Sequence, residues 1–234
     1  MISLYTKNMN ELSELKPLFE SLTIKPTFDY VHIILSLFIF AENPGGIGRY
    51  RLKDELQIGS GTAKSLVKKL KDVSEFIVVP DEGERKGHVL TEKGHKFFAN
   101  KVKRKIPLLE KADLTFLKDI IIEPENVNPY FCLVKNATKK IKDGIEQRDA
   151  AIKVNGFGAT CLVYNGKDII FPSKFVNIGS EEQKKINQKT LKYFTYRIEK
   201  AKVLFEKDDV IIIGLGENPQ ISRLAALNAA LTLF

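Results

Sequence analysis

The clearest fold signal in the N-terminal half of this chain comes from residues 49–72, RYRLKDELQIGSGTAKSLVKKLKD. Leucines four residues apart predict a short helix over Tyr50–Leu56. Ala63, Leu66, Val67 and Leu70 recur at helical spacing, and they predict a second helix over Gly61–Val73 with Ser60 as its N-cap. The intervening Gln57-Ile58-Gly59 is short and ends in glycine. The pattern therefore predicts two helices joined by a tight turn.

The segments on either side extend this pattern. Apolar residues over Phe28–Glu42 predict a buried helix, which the breaker Asn43-Pro44-Gly45-Gly46 ends. Two extended apolar runs, Phe76–Pro80 and Val89–Leu90, flank a polar turn and predict a hairpin. A last helix is expected to begin at Thr91. This order of elements predicts a winged helix-turn-helix over residues 28–106.

The predicted third helix divides into an apolar side and a polar side. We expect the polar side to contact bases and phosphates in the major groove of double-stranded DNA. Its candidate residues are Gly61, Lys64, Ser65, Lys68 and, on the flank, Lys69. Further contacts to phosphate or to the minor groove are predicted for Arg49, Arg51, Ser60, Thr62 and the turn residues Arg85 and Lys86.

The distribution of charge favours the same interpretation. The chain carries a net charge of +8. Residues 45–106 hold 15 Lys and Arg against 8 Asp and Glu, a balance of +7, whereas residues 107–234 hold 19 against 16, a balance of +3. A basic excess concentrated in one module is typical of a nucleic-acid-binding domain. The alternatives are an RNA- or ribonucleoprotein-binding module, and a protein-interaction module whose lysines are only solvated.

The rest of the chain predicts an α+β protein with a small second domain of mixed α/β type. We expect an amphipathic N-terminal segment over 1–27, a linker over 107–129 and the second domain over 130–234. Strands are predicted at Tyr130–Val134, 159–164, 168–172 and 210–214, and helices at 137–154, 181–205 and 221–233. Asn165-Gly166 predicts a hairpin turn.

One group of residues in this second domain suggests a ligand pocket. Charged side chains of one helix would lie at the mouth of this pocket, and a glycine-containing loop would offer backbone amides to an anion. The candidate residues are Glu146, Arg148, Asp149, Gly156, Gly158 and Thr160, with Gly214-Leu215-Gly216 as a possible part of the rim. The alternative is an ordinary helix surface in which Asp149 pairs with Lys153.

Several segments also resemble a known group of proteins. Val89–Gly94 looks like the segment that leaves the wing in many prokaryotic winged-helix regulators. Gly48–Leu52 and Gly59–Ala63 resemble an archaeal family of predicted transcriptional regulators. Gly144–Ile152 and Gly158–Thr160 resemble the C-terminal domain of unknown function (DUF4443-like) in that family. The resemblance implies this fold and a regulatory role, and it brings no assigned ligand.

Three function classes follow from these observations. The first is a cytoplasmic, homodimeric DNA-binding regulator whose second domain senses a small molecule or dimerises. The others are an enzyme, or a protein-interaction module, that carries an appended winged helix. We expect no metal or cofactor, because the two cysteines are far apart, His is rare and no catalytic set is recognisable. We expect no membrane span, because the longest apolar run, Val31–Ala41, is about 11 residues long and a crossing needs about 20.

Overall fold

A computed structural model describes residues 9–21, 25–80, 87–121, 127–172 and 185–234. The chain divides into two compact units, residues 1–104 together with Phe234, and residues 105–233. The turn residues Arg85 and Lys86 lie outside the described ranges. Among the described residues, no helix combines the length and apolar character that a bilayer crossing needs.

The first unit consists mainly of helices. Its elements are a 3-10 helical segment at Met9–Phe19, α1 (Tyr30–Glu42), α2 (Arg49–Leu56), α3 (Ser60–Asp72), β1 (Ile77–Val78), β2 (Val89–Leu90) and α4 (Glu92–Phe97), which continues as a π-helical turn at Phe98–Lys103. The predicted N-terminal segment is amphipathic, since Leu12, Leu15 and Leu18 are fully buried. The elements occur in the predicted order, and the winged-helix interpretation itself stays a prediction.

Helix α1 forms the centre of this unit. Every residue from Ile33 to Phe40 is buried, as expected for a continuous apolar run. A capping box begins the helix, because the Asp29 side chain accepts from the backbone N–H of His32 and Asp29 N donates to Nδ1 of His32 at 2.9 Å. The Asp29 carboxylate also accepts from Tyr30 N at 2.7 Å.

Helices α2 and α3 enclose the predicted tight turn. Gln57 has a φ of 53° and ends α2 in the left-handed conformation. Gly59, in an extended conformation, is the N-cap of α3. The prediction of Ser60 as N-cap is therefore wrong by one residue, because the backbone of Ser60 is already helical and its hydroxyl makes no capping bond.

The hairpin is held close to the chain segment that precedes α2. Ile77 pairs with Leu90 and Val78 with Val89, in antiparallel register. Ile47 forms a further antiparallel bridge with His88. Gly87 is required beside this bridge, since its φ is +82° and a Cβ there would lie 2.5 Å from the carbonyl carbon of Ile47.

The second unit is built on a five-stranded antiparallel sheet. The strand order is β3-β4-β7-β5-β6, and every neighbouring pair is antiparallel. The strands are β3 (Leu108–Lys111), β4 (Tyr130–Val134), β5 (Gly158–Tyr164), β6 (Ile169–Ile170) and β7 (Val210–Leu215). The helices are α5 (Ile145–Lys153), α6 (Gln188–Lys200) and α7 (Pro219–Leu231), with 3-10 turns at Leu114–Phe116 and Thr138–Lys140.

The two faces of this sheet pack against different helices. On one face, Phe131 and Ile213 share a core with α6, and the ring of Phe131 meets that of Phe194 edge to face at 5.2 Å. The other face carries Cys132 and Cys161, each in register with Ile212, and α5 and α7 pack there. The observed architecture is mixed α/β, in agreement with the predicted α+β class.

Two predictions about this half are corrected. The stretch predicted as a linker, 107–129, contains β3, which pairs with β4 through Leu109 and Cys132 among others. The predicted helix over 137–154 begins only at Ile145, because Gly144 has a φ of +82° and interrupts the helical backbone. The short strands around Asn165-Gly166 are confirmed.

Candidate nucleic-acid interface

Helix α3 has one buried side and one charged side. Ala63, Leu66 and Leu70 are fully buried and Val67 is nearly so. Lys64, Lys68 and Lys71 are exposed, and at 100° per residue they lie within about 60° of one another on the opposite half of the helix. We call these three residues the lysine row.

The lysine row is available to an external partner. Among the residues that the structure describes, none forms an ion pair or a hydrogen bond with Lys64 or Lys68. Ser65, which the sequence placed beside them, is half-buried. The row spans about 10 Å from first to last residue, because an α-helix rises about 1.5 Å per residue.

Lys71 was not among the residues predicted from the sequence. The signal that would have found it is its spacing, since it lies seven residues after Lys64 and three after Lys68, in one helical row. Lys71 also lies close enough to His88 to affect it. Burial lowers the pKa of His88, and the positive charge of Lys71 lowers it further.

Lys69 and Thr62, which were predicted to contact DNA, instead form hydrogen bonds with the N-terminal segment. The Lys69 ammonium donates to the carbonyl oxygen of Glu20 at 2.5 Å. The hydroxyls of Thr62 and Thr27 share a hydrogen bond of 2.6 Å. A phosphate contact from either side chain would compete with these bonds, so both are weaker candidates than the lysine row.

The remaining candidates lie around the start of α2 and α3. Arg51, Ser60 and Gly61 are exposed, and the space above Gly61 is open for at least 4 Å. Arg49 is half-buried, and its guanidinium lies 5.1 Å from the ring centre of Tyr50, which is itself 68% exposed. Arginine stacked on an exposed aromatic ring is pre-ordered for contact with phosphate. The exposure of Tyr50 was not predicted.

The charged residues of the predicted ligand pocket lie on the surface of α5. Glu146, Arg148 and Asp149 are all exposed. Arg148 pairs with Asp149 through two nitrogen–oxygen contacts of 2.9 and 3.1 Å. This Arg148–Asp149 pair was not predicted from the sequence.

The glycines of the predicted pocket serve packing instead. The amide of Gly156 already donates to Ala151 O, and a Cβ there would lie 2.6 Å from the Ala225 methyl group. Gly158, with a φ of +146°, begins β5, and Thr160 pairs with Ile213 inside the sheet. Amides in such positions have no free hydrogen for an anion, so these residues do not form the predicted site.

The same correction applies to Gly214 and Gly216. A Cβ on Gly214 would lie 2.2 Å from the backbone nitrogen of Ala226, and one on Gly216 would lie 2.6 Å from the Ile221 side chain. Both glycines let α7 approach the end of β7. Gly214 and Gly216 therefore serve the packing of α7 against the sheet and do not form the rim of a pocket.

Two cavities are lined by other residues. The first, of about 490 Å³, is an open groove in the first unit, lined by Glu14, Phe76, Glu92, Lys93, Lys96, Phe97, Asn100 and Lys101. The second, of about 100 Å³, lies in the second unit, lined by Thr138, Ile141, Lys142, Val163, Ile170, Phe171 and Pro172. The charged side chains of the first are tied in ion pairs such as Lys96–Glu92.

The described titratable residues include no group suited to binding a metal, and both cysteines are buried. Within the described ranges, no three His, Cys, Asp or Glu side chains are grouped so that they could hold a metal ion. Cys132 and Cys161 are buried, and burial raises the pKa of both thiols, that of Cys161 to about 12. Thiols with such raised pKa values are poor nucleophiles and ligands near neutral pH.

Comparison with known proteins identifies part of the chain. Residues 126–233 match the family model of a domain of unknown function, DUF4443. This match covers the second unit from residue 126 onward, without β3 and the 3-10 turn at Leu114–Phe116. It bears out the resemblance seen in Gly144–Ile152 and Gly158–Thr160. No curated protein matches the chain.

A solved structure is similar over most of the chain. It is a hypothetical protein from the archaeon Pyrococcus horikoshii OT3, with 24% sequence identity and a TM-score of 0.61. The match covers 88% of this chain and 93% of that one. At this identity the likeness shows the mixed α/β fold alone, and it assigns no activity.

Proposed function

We propose that this protein binds double-stranded DNA through a winged helix-turn-helix in its first unit, with α3 in the major groove, and that it regulates transcription. The observation that carries the proposal is the lysine row, which is exposed, has no acidic neighbour bonded to Lys64 or Lys68 among the described residues, and stands opposite a fully packed face. That division is what a recognition helix requires.

The dimensions of α3 fit the proposed groove. An α-helix with its side chains is about 10–12 Å across, and the major groove of B-DNA is about 12 Å wide. Lysine is a point charge without the planar fork of arginine. We therefore expect strong phosphate contacts and modest discrimination between bases.

Neighbouring elements support the same orientation. The bridge between Ile47 and His88 ties the hairpin to the segment that precedes α2. Phe76 N donates to Leu70 O, so the first strand of the hairpin follows directly from the end of α3. Arg51 and the stacked Arg49 lie at the beginning of α2, where phosphate contacts are expected. Arg85 and Lys86 complete the proposed wing, although they lie outside the described residues.

The proposal includes a homodimer and leaves out a small-molecule effector. A two-fold dimer presents two recognition helices to two half-sites, which raises discrimination between DNA sequences. The residues predicted to hold an effector are used in packing or lie on an exposed helix surface, as described above, so they do not support an effector site.

Salt-dependent binding to a short duplex tests the proposal. We expect fluorescence anisotropy with a labelled duplex of about two helical turns to show affinity that falls steeply with salt. The triple substitution Lys64→Ala, Lys68→Ala and Lys71→Ala should lower the slope of log K against log salt by about 3, since each lost phosphate contact contributes about 0.9.

A matched variant controls for the loss of charge alone. Lys118, Lys167 and Lys192 are exposed residues of the second unit, and changing all three to alanine removes the same net charge. Equal slopes for the two triple variants would exclude α3 from the interface. Absence of duplex binding even at low salt would overturn the proposal and favour the protein-interaction module.

A further inference from the structure

His88 lies at the base of the hairpin, where its backbone has little freedom to move. Its N–H donates to Ile47 O and its carbonyl oxygen accepts from Ile47 N, each at 3.0 Å. Gly87 packs against the same residue, since a Cβ there would lie 2.5 Å from the Ile47 carbonyl oxygen. The hairpin base therefore holds the imidazole of His88 beside the segment that precedes α2.

The imidazole of His88 has unused hydrogen-bonding capacity. Its Nδ1 is buried and, among the residues that the structure describes, has no hydrogen-bond partner. The ring as a whole is only half-buried, and Nε2 remains open to solvent. Buried polar atoms without a partner are uncommon in folded proteins and call for an explanation. An imidazole donates through one nitrogen when it is neutral and through both when it is protonated.

The charges around this ring favour an external anion. Burial lowers the pKa of His88 and the positive charge of Lys71 lowers it further, while a hydrogen bond to the Ile47 backbone acts in the opposite direction. The described hairpin residues, 76–80 and 87–90, and the segment 46–48 contain no Lys, Arg, Asp or Glu. Within the described ranges, no carboxylate therefore offsets the charge of Lys71 at the ring.

We propose that Lys71 and His88 together bind one backbone phosphate of the duplex, and that the His88 ring takes up a proton from solvent as the phosphate binds. The ammonium of Lys71 donates one charge-assisted hydrogen bond, and Nε2 of the imidazolium donates another. A phosphate between the two groups replaces the repulsion between two cations by their attraction to a common anion. The protonated state, which Lys71 opposes in the free protein, is then favoured.

This inference rests on the proposed function, because the phosphate belongs to the bound duplex. It extends the lysine row to the base of the hairpin and gives DNA binding a dependence on pH. Lysine keeps its charge between about pH 6 and pH 8, whereas histidine titrates in this range. Because binding takes up a proton, the affinity for the duplex should rise as the pH falls.

Duplex binding at about pH 6 and about pH 8, at one salt concentration, tests the proposal. We expect the wild type to bind at least about fivefold more tightly at the lower pH, since each unit by which the phosphate raises the pKa contributes up to about tenfold in affinity. In His88→Gln, whose side chain does not titrate, this ratio should fall to about 1. His95→Gln is the matched control, because His95 is exposed on α4, and it should keep the wild-type ratio.

The free protein provides a second measurement that needs no DNA. The pKa of His88, followed by NMR through the imidazole proton signals, should lie below the ordinary 6.5. Lys71→Ala should raise this pKa, because it removes the positive charge that opposes protonation. Addition of the duplex to the wild type should raise it as well. Circular dichroism checks the fold of each variant.

The possible results separate this inference from the proposed function. Equal affinity at both pH values, or a pH response that His88→Gln retains, would overturn the phosphate site while DNA binding itself stands. A pKa of His88 that neither Lys71→Ala nor the duplex changes would overturn it too. Absence of duplex binding even at low salt would overturn both proposals.

Discussion

Replacing Gly214 by alanine should destabilise the second unit more than an ordinary change of one methyl group. A Cβ at this position would lie 2.2 Å from the nitrogen of Ala226 and 2.6 Å from the carbonyl oxygen of Ser222. Ordinary contact begins at 3.4 Å, so α7 would have to retreat locally by about 1.2 Å, the difference between 3.4 and 2.2 Å.

The expected loss of stability in Gly214→Ala follows from the required shift of α7. The obstructing atoms belong to the backbone of α7, so no rotamer change relieves the clash. All eleven residues from Ile221 to Leu231 are buried, and a retreat of the helix loosens their contacts. Overpacking commonly costs about 1–3 kcal/mol, and we expect Gly214→Ala to lie at the upper end, near 3 kcal/mol.

Urea unfolding followed by far-ultraviolet circular dichroism measures this loss. Hydrogen exchange of the β7 amides reports on the second unit separately. With a slope of about 1.5 kcal/mol per molar urea, a loss of about 3 kcal/mol moves the midpoint down by about 2 M. Gly61→Ala is the control, because nothing lies within 4 Å of its Cβ position and it occupies a helix.

The control should be neutral or stabilised by up to about 1 kcal/mol, the difference in helix propensity. A Gly214→Ala variant with an unchanged midpoint would refute the close approach of α7 to β7. It would also revive the interpretation of Gly214-Leu215-Gly216 as the edge of a ligand site.

Two further predictions concern buried polar groups. Asp209→Ala should cost about 3 kcal/mol in urea unfolding, because the buried carboxylate accepts from Lys135 Nζ at 2.6 Å, Glu206 N at 2.9 Å and Asn136 N at 3.0 Å. An unchanged midpoint would mean that these donors find other acceptors. Burial lowers the pKa of His32 below its ordinary 6.5, against partial opposition from Asp29. The unfolded chain therefore takes up the proton first, and the melting temperature should fall as the pH drops below about 6.5. His32→Gln keeps an acceptor for the capping box and should show a smaller fall than the wild type, and equal falls would contradict the assignment.

The main helices and several strands could be predicted from the sequence, because their signals are local. The apolar spacing of Ala63, Leu66 and Leu70 specifies the buried side of α3 whatever it packs against, and with it the exposed side that carries Lys64 and Lys68. The breaker at Asn43–Gly46 ends α1 for the same reason. Matching Gly144–Ile152 to a domain family likewise required no coordinates.

The pairing of β3 and the partners of Thr62 and Lys69 depend on contacts between distant segments, which the sequence pattern does not show. The run Leu108–Lys111 is too short to distinguish a strand from a linker, and it becomes a strand because β4, about twenty residues later, supplies its hydrogen-bonding partner. Thr62 and Lys69 look like their exposed neighbours in the sequence, yet Thr27 and Glu20, 35 and 49 residues away, engage them.

Sequence alone therefore specifies the period of each element and the chemistry of each helix face. The assignment of the glycines to helix–sheet packing depends on contacts between distant segments. Gly156 and Gly214 have no side chain whose chemistry could indicate a role. Only the short distance from their Cβ positions to atoms of α7 assigns them to packing. The exposure of Ile145 and Ile152 also depends on tertiary packing, because the alanines of α5 are buried and both isoleucines face solvent.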